Sequence, residues 1–93
     1  MQLTVHGRRY ELVWCPNLAN DGECDAPHLH KKKIRIASRV RKKGGQYLLQ
    51  VLAHEFLHAG DWHKTEEWVD SVSTDLARFL YRLGYRLESE GQA

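Results

Sequence analysis

The chain has 93 residues, of which 42% are hydrophobic and 28% charged, and carries a formal net charge of +2. That length makes one domain, burying only about 60–65% of the surface its unfolded form exposes, so a bound metal would support the fold as well as any chemistry. No stretch is long and apolar enough to span a membrane, the N-terminus lacks the apolar core of a signal peptide, and the charge is too small to argue for a partner by itself; the expected location is the cytoplasm.

Leu3-Thr4-Val5 and Tyr10-Glu11-Leu12-Val13-Trp14 alternate apolar residues and read as two short strands, with His6-Gly7-Arg8-Arg9 as the tight connection of a hairpin. Residues 16–30 are rich in Asn, Asp, Gly and Pro and read as an irregular loop, so that 1–32 forms a hairpin and loop. Cys15 and Cys24 are expected to be free thiols in a reducing compartment, and no CxxC pair marks a zinc site. His28 and His30 share the loop with Cys24, which leaves a second cluster there as an alternative. A Cys24 thiolate that reached a metal would be a good ligand and would hold the site latent.

Lys33-Ile34-Arg35-Ile36-Ala37 alternates again and predicts a third strand. Gly44-Gly45 breaks the chain before a first helix over 46–59, and Gly60 ends that helix. Thr65 caps a second helix running to about Leu83, stopped by Gly84. Its positions Val69, Val72, Leu76, Phe79, Leu80 and Leu83 follow the spacing of one buried face. The tail 88–93 reads as frayed. The order strand, strand, loop, strand, helix, helix predicts a small α+β domain.

The first helix contains His54-Glu55-Phe56-Leu57-His58. Histidines four apart lie on one helix face, one turn from each other, so both imidazoles reach one zinc ion while Glu55 is placed to act on a water there. The surrounding run, Tyr47 to Ala59, is apolar nearly all round and predicts a buried helix. Two histidines and a glutamate buried without partners would cost several kcal/mol, a cost that a metal removes. The competing reading is a surface helix that merely spells the motif.

A catalytic zinc site commonly uses three protein ligands. Glu66 lies about 90° from the centre of the expected apolar stripe of the second helix, whereas Glu67 points almost directly away from it. Glu66 is therefore the favoured third ligand, with Glu67 and His63 as alternatives. Asp70, four residues after Glu66, is placed to orient a ligand. Two acidic residues in a first helical turn are also favourable simply through the helix dipole.

His54-Glu55-x-x-His58, followed by a helix carrying Glu66-x-x-x-Asp70, resembles the zincin metallopeptidases and, within them, the gluzincins. The short chain is similar to the minigluzincins and the compact zincin domains of phage and bacterial proteins, over roughly residues 33–83. The resemblance implies a short antiparallel or mixed sheet packed on an active-site helix, with segment 33–59 supplying edge strand and helix and 65–83 the glutamate helix. It implies one Zn²⁺ per chain and hydrolysis of peptide bonds, with Glu55 as the general base that later returns the proton to the leaving amine. It also implies that Ile34, Arg35, Ile36 and Ala37 form the edge on which an extended substrate pairs. A transition-state stabiliser would come from His63, Tyr81, Tyr85 or Arg86. With so little chain beyond this core, exposed or unstructured segments are the expected substrates.

Two other readings stand beside this one. Residues 31–43 carry eight basic side chains in thirteen, a density that suits a nucleic-acid surface in the manner of SprT-like proteases, whose third ligand is a histidine. The interleaved residues are aliphatic, and lysines that keep a sheet edge from aggregating explain the run equally well. The third reading is a non-catalytic zincin-fold module that binds a partner. Trp62, Trp68, Phe79, Tyr81 and Tyr85 would then form an interaction surface; the expectation is that they fill the core. Oligomeric state is not legible.

Overall fold

A hairpin starts the chain in the computed structural model, which describes residues 1–87; the expected frayed tail lies outside them. Strands β1 (Gln2–Val5) and β2 (Arg8–Cys15) pair antiparallel with Val5 opposite Arg8. His6 and Gly7 between them both have positive φ, 49° and 77°. Positive φ at both central residues is the signature of the two-residue type I′ turn, whose twist matches that of the strands.

The loop expected over 16–30 contains a strand, β3 (Gly22–Cys24), and the predicted third strand becomes β4 (Lys33–Ala37). Three residues with a glycine at one end show no readable alternation, so β3 exists only because β4 offers it an edge. The sheet order is β1-β2-β4-β3, with β2 and β4 parallel and β3 antiparallel to β4. This corrects the assignment of Ile34, Arg35, Ile36 and Ala37 as an edge. Both sides of β4 are taken by neighbours, and β3 is the edge instead.

A further element not expected from the sequence is the short helix α1 (Ser38–Lys43). Its last turn carries Arg41, Lys42 and Lys43, a charge placement that favours a helix C-terminus and is its one sequence signal. Gly44 and Gly45, at φ 64° and 67°, then break the chain between α1 and α2 (Gly45–Gly60). Helix α3 (Glu66–Arg82) follows, with the Thr65 hydroxyl accepting from the Trp68 amide at 3.1 Å as its N-cap. The result is a small α+β fold of a four-stranded mixed sheet and three helices among the described residues. None of these helices is long and apolar enough to cross a membrane.

Tyr10, Ile34 and Ile36 on the helix-facing side of the sheet, with Val5, Val40, Leu48, Val51 and Ala59, form the core. Helix α2 buries Leu48, Val51, Glu55 and Ala59, whereas Phe56 is exposed, so the expectation of a helix buried all round is only partly met. For α3 the expected face is only partly met: Val69 is buried and Val72 and Leu80 are half-buried, but the buried line runs to one side of the apolar stripe. Val69, Ser73 and Ala77 are buried, while Phe79 and Leu83 are 59% and 60% exposed. Small side chains at a four-residue spacing let two helices approach closely, so packing selects that line over the bulkier stripe beside it. The aromatic residues expected in the core are not there either: Trp62, Trp68, Phe79 and Tyr85 are exposed, and Tyr81 is half-buried.

Candidate metal centre

The line of α3 that meets α2 explains how Glu66 reaches the histidines. Glu66 is three residues before Val69 and seven before Ser73, so at 100° per residue it points within about 20° of the buried direction. That is nearer than the roughly 90° inferred from the apolar stripe, because the buried line runs to one side of the stripe. Glu67, one residue on, is turned away with the exposed side of the helix.

Three donor atoms converge. The Nε2 atoms of His54 and His58 are 3.0 Å apart. Glu66 Oε1 lies 2.8 Å from His54 Nε2, and Oε2 lies 3.1 Å from His58 Nε2. Asp70 Oδ1 sits 3.1 Å from His54 Nδ1, four residues along α3 from Glu66. A proton on Nδ1 shared with Asp70 would leave the ring's lone pair on Nε2, aimed at the other two groups.

Without a cation Glu66 accepts from both imidazoles, and the Nε2 atoms of His54 and His58 still stand 3.0 Å apart, a contact that a cation among the three groups would relieve. Zinc bonds of about 2.0–2.1 Å in a tetrahedron need ligand atoms about 3.3 Å apart, so the three groups have only a few tenths of an ångström to open. His, His and carboxylate suit zinc, and the set fits. Among the described residues, His54, His58 and Glu66 are the group of His, Cys, Asp and Glu side chains that could hold a metal ion. His63, Glu67, His28 and His30 are outside it.

Glu55 is buried, only 7% exposed. Desolvation, reinforced by the carboxylates of Glu66 and Glu23 and opposed by His54, pushes its carboxyl up to about 7. Burial also acts to raise Glu66, but the charges and hydrogen bonds of His58 and His54 hold it below its ordinary range. Cys24 lines the same cleft with its thiol donating to the Asp25 carbonyl at 3.4 Å, and burial and Glu55 push it up to about 12. Both cysteines are free thiols, and neither belongs to the converging group.

The cleft over these residues has a volume of about 640 Å³ and is also lined by β3, Asp25, Trp62 and Lys64. Among the described residues no strand pairs with the outer side of β3. The Asp21 carbonyl accepts from the Ala37 amide at 2.9 Å, and the Asp25 amide donates to the Lys33 carbonyl at 3.0 Å. Antiparallel pairing alternates these directions, so the N–H and C=O groups of Gly22 and Cys24 face the open side.

None of His63, Tyr81, Tyr85 and Arg86, the expected stabilisers, is among the residues that line the cleft. Tyr81 is fifteen residues after Glu66 on one helix, about 22 Å along its axis. Arg86 stacks over the Tyr81 ring and donates to the Tyr81 and Tyr85 carbonyls, which keeps both near the far end of α3. His63 is exposed in the turn before α3, with its amide held by Asp61. Besides Trp62 and Lys64 in the cleft, Tyr47 and Gln50 lie in an adjoining pocket with His54, Glu55 and Asp70. Their signal was present, since Gln50 is four and Tyr47 seven residues before His54 on the same helix face.

The basic run 31–43 is split among a loop, β4 and α1, and several of its cations are engaged within the chain. Arg35 makes a two-point pair with Asp25, and Arg39 pairs with Asp21. Lys32, Arg41 and Lys43 lie over the rings of Tyr10, Trp14 and Tyr47. Comparison of the chain with protein-family models, with curated proteins and with solved structures gave no match.

Proposed function

We propose that this chain is a zinc-dependent metallopeptidase of the minimal zincin type, acting on exposed or unstructured segments. The observation that carries the reading is the convergence of His54, His58 and Glu66 beside a buried Glu55, in a cleft lined by β3, with whose outer side no strand pairs among the described residues. A structural zinc site has no use for a buried carboxylate next to its ligands, whereas a hydrolytic one needs a base there.

An extended segment of substrate pairs with the outward N–H and C=O groups of Gly22 and Cys24, which gives affinity with little sequence preference. That pairing lays a peptide carbonyl across the metal group. Zinc, when bound, supplies Lewis-acid polarisation of the carbonyl and acidifies the attacking water. Glu55 takes one proton from that water as its oxygen bonds to the carbonyl carbon, then delivers the proton to the amide nitrogen as the C–N bond breaks. Asp70 keeps His54 in the tautomer that turns Nε2 toward the metal.

The nucleic-acid reading of the basic run is weakened by the internal pairing of its cations, and the binding-module reading by the retention of Glu55. The test is zinc content per chain after dialysis, with cleavage of an unstructured protein as the second measurement. One zinc per chain, lost in His54→Ala and Glu66→Ala and kept in Glu67→Ala and His63→Ala, is expected. Cleavage should vanish in Glu55→Gln while zinc stays. A wild-type chain that takes up no zinc when refolded with the metal sinks the reading.

A further inference from the structure

Gly22 has a role that its backbone conformation does not explain. Gly7, Gly44, Gly45 and Gly84 all have positive φ, which accounts for glycine there, and Gly22 does not. Its place in β3 is one that alanine adopts without strain. What alanine lacks is room. A Cβ built on Gly22 would lie 2.8 Å from Glu55 Oε2, 3.0 Å from Glu55 Cγ and 3.0 Å from Val51 Cγ1. Contacts that short force something to move, and two of the three are to one side chain. Glycine inside a strand commonly marks a place where another group must come close.

We infer that Gly22 is a positioning residue for Glu55: the missing side chain on the edge strand is the socket that seats the base's carboxylate beside the metal group. The inference rests on the metallopeptidase reading for its effect on rate, but the contact itself does not. Gly22 therefore has two tasks in one residue. Its N–H and C=O lie on the open edge that would pair with substrate, and its bare Cα admits Glu55 from the side. A methyl group there leaves the pairing groups in place and pushes the carboxylate away. The three atoms nearest that methyl belong to Glu55 and Val51 and not to His54, His58 or Glu66, so zinc content is expected to be unchanged.

The experiment has two arms on the full chain. In the first, Gly22→Ala is compared with wild type for zinc content and for cleavage of an unstructured protein. The expected result is unchanged zinc, little change in KM and a kcat lower by roughly a hundredfold, the scale of a misplacement of about 1 Å in a reacting group. In the second, the melting temperature is measured for Gly22→Ala, Glu55→Ala and the double variant. With Glu55 cut back, the two Glu55 contacts of the added methyl are gone and the Val51 contact remains, so the melting-temperature drop caused by Gly22→Ala should shrink by more than half.

An equal drop in both backgrounds overturns the inference, as does full kcat in Gly22→Ala. If Gly22→Ala fails to fold, a folded double variant supports the contact, and an unfolded one overturns it. Wild-type protein that neither binds zinc nor cleaves would defeat the proposed function, while the thermal coupling would still report on the socket.

Discussion

Replacing Asp70 by Asn tests whether α3 tunes the candidate metal group or merely passes near it. Asp70 Oδ1 is 3.1 Å from His54 Nδ1, but its side chain is 65% exposed. Loss of a partner that orients a ligating histidine typically costs 10–100-fold in metal affinity, and exposure puts this one at the lower end, about tenfold. Tenfold is about 1.4 kcal/mol, and with zinc in excess that difference passes fully into the stability of the loaded protein. For a domain of this size 1 kcal/mol moves the melting temperature by about 4–8 °C, so the loaded variant should lose about 6–11 °C more than the metal-free one. The metal-free variant itself should change little, because an exposed substitution lies within about 0.5 kcal/mol. The assay is thermal unfolding with excess zinc and with a chelator, beside a competition measurement of zinc affinity. Equal losses in both conditions, with unchanged affinity, would refute the orienting role.

Three further outcomes follow from the same structure. Asp25, held low chiefly by its hydrogen bonds to Arg35 against the opposing effect of burial, and Asp21, held low chiefly by the Tyr47 hydroxyl and then by Arg39, both favour the native state when ionised. Their contribution is fully present above the unfolded carboxyl value of about 4 and is lost as pH falls through the lower native values, so the urea midpoint should drop below pH 4 and drop less steeply in Asp25→Asn. Ala77→Leu should destabilise by about 1–3 kcal/mol through overpacking, whereas Phe79→Ser should stay within about 0.5 kcal/mol, as chemical denaturation would report; the reverse order would restore the apolar stripe as the buried face. Pairing of substrate on β3 predicts that a proline at the position of Cys24, which removes an outward N–H, raises KM for an unstructured protein with zinc content unchanged, and an unaltered KM would move the substrate elsewhere.

The hairpin, β4 and the two long helices were legible because each has a local cause: alternation, a positive-φ turn, or a capped periodic run. Helix α1 and strand β3 were not, since six residues carry too little periodicity and three residues form a strand only against a partner. The same limit explains the edge-strand error. Alternation in Ile34–Ala37 says that a strand forms, and says nothing about whether its second side is taken.

At the candidate site the division is clearer still. The spacing of His54 and His58 sets their common helix face, with Glu55 about 100° round from His54, from the sequence alone, because the α-helix repeat is fixed by backbone geometry. Asp70 followed from the same rule once Glu66 was chosen. What only the tertiary structure decided was the partner of that face. Whether Glu66 meets the histidines depends on which line of α3 packs on α2, and Val69, Ser73 and Ala77 win because close approach rewards small side chains rather than hydrophobic bulk. The socket at Gly22 is of the same kind. Local sequence records that the residue is a glycine, and only the approach of β3 to α2 shows that the space is taken by Glu55.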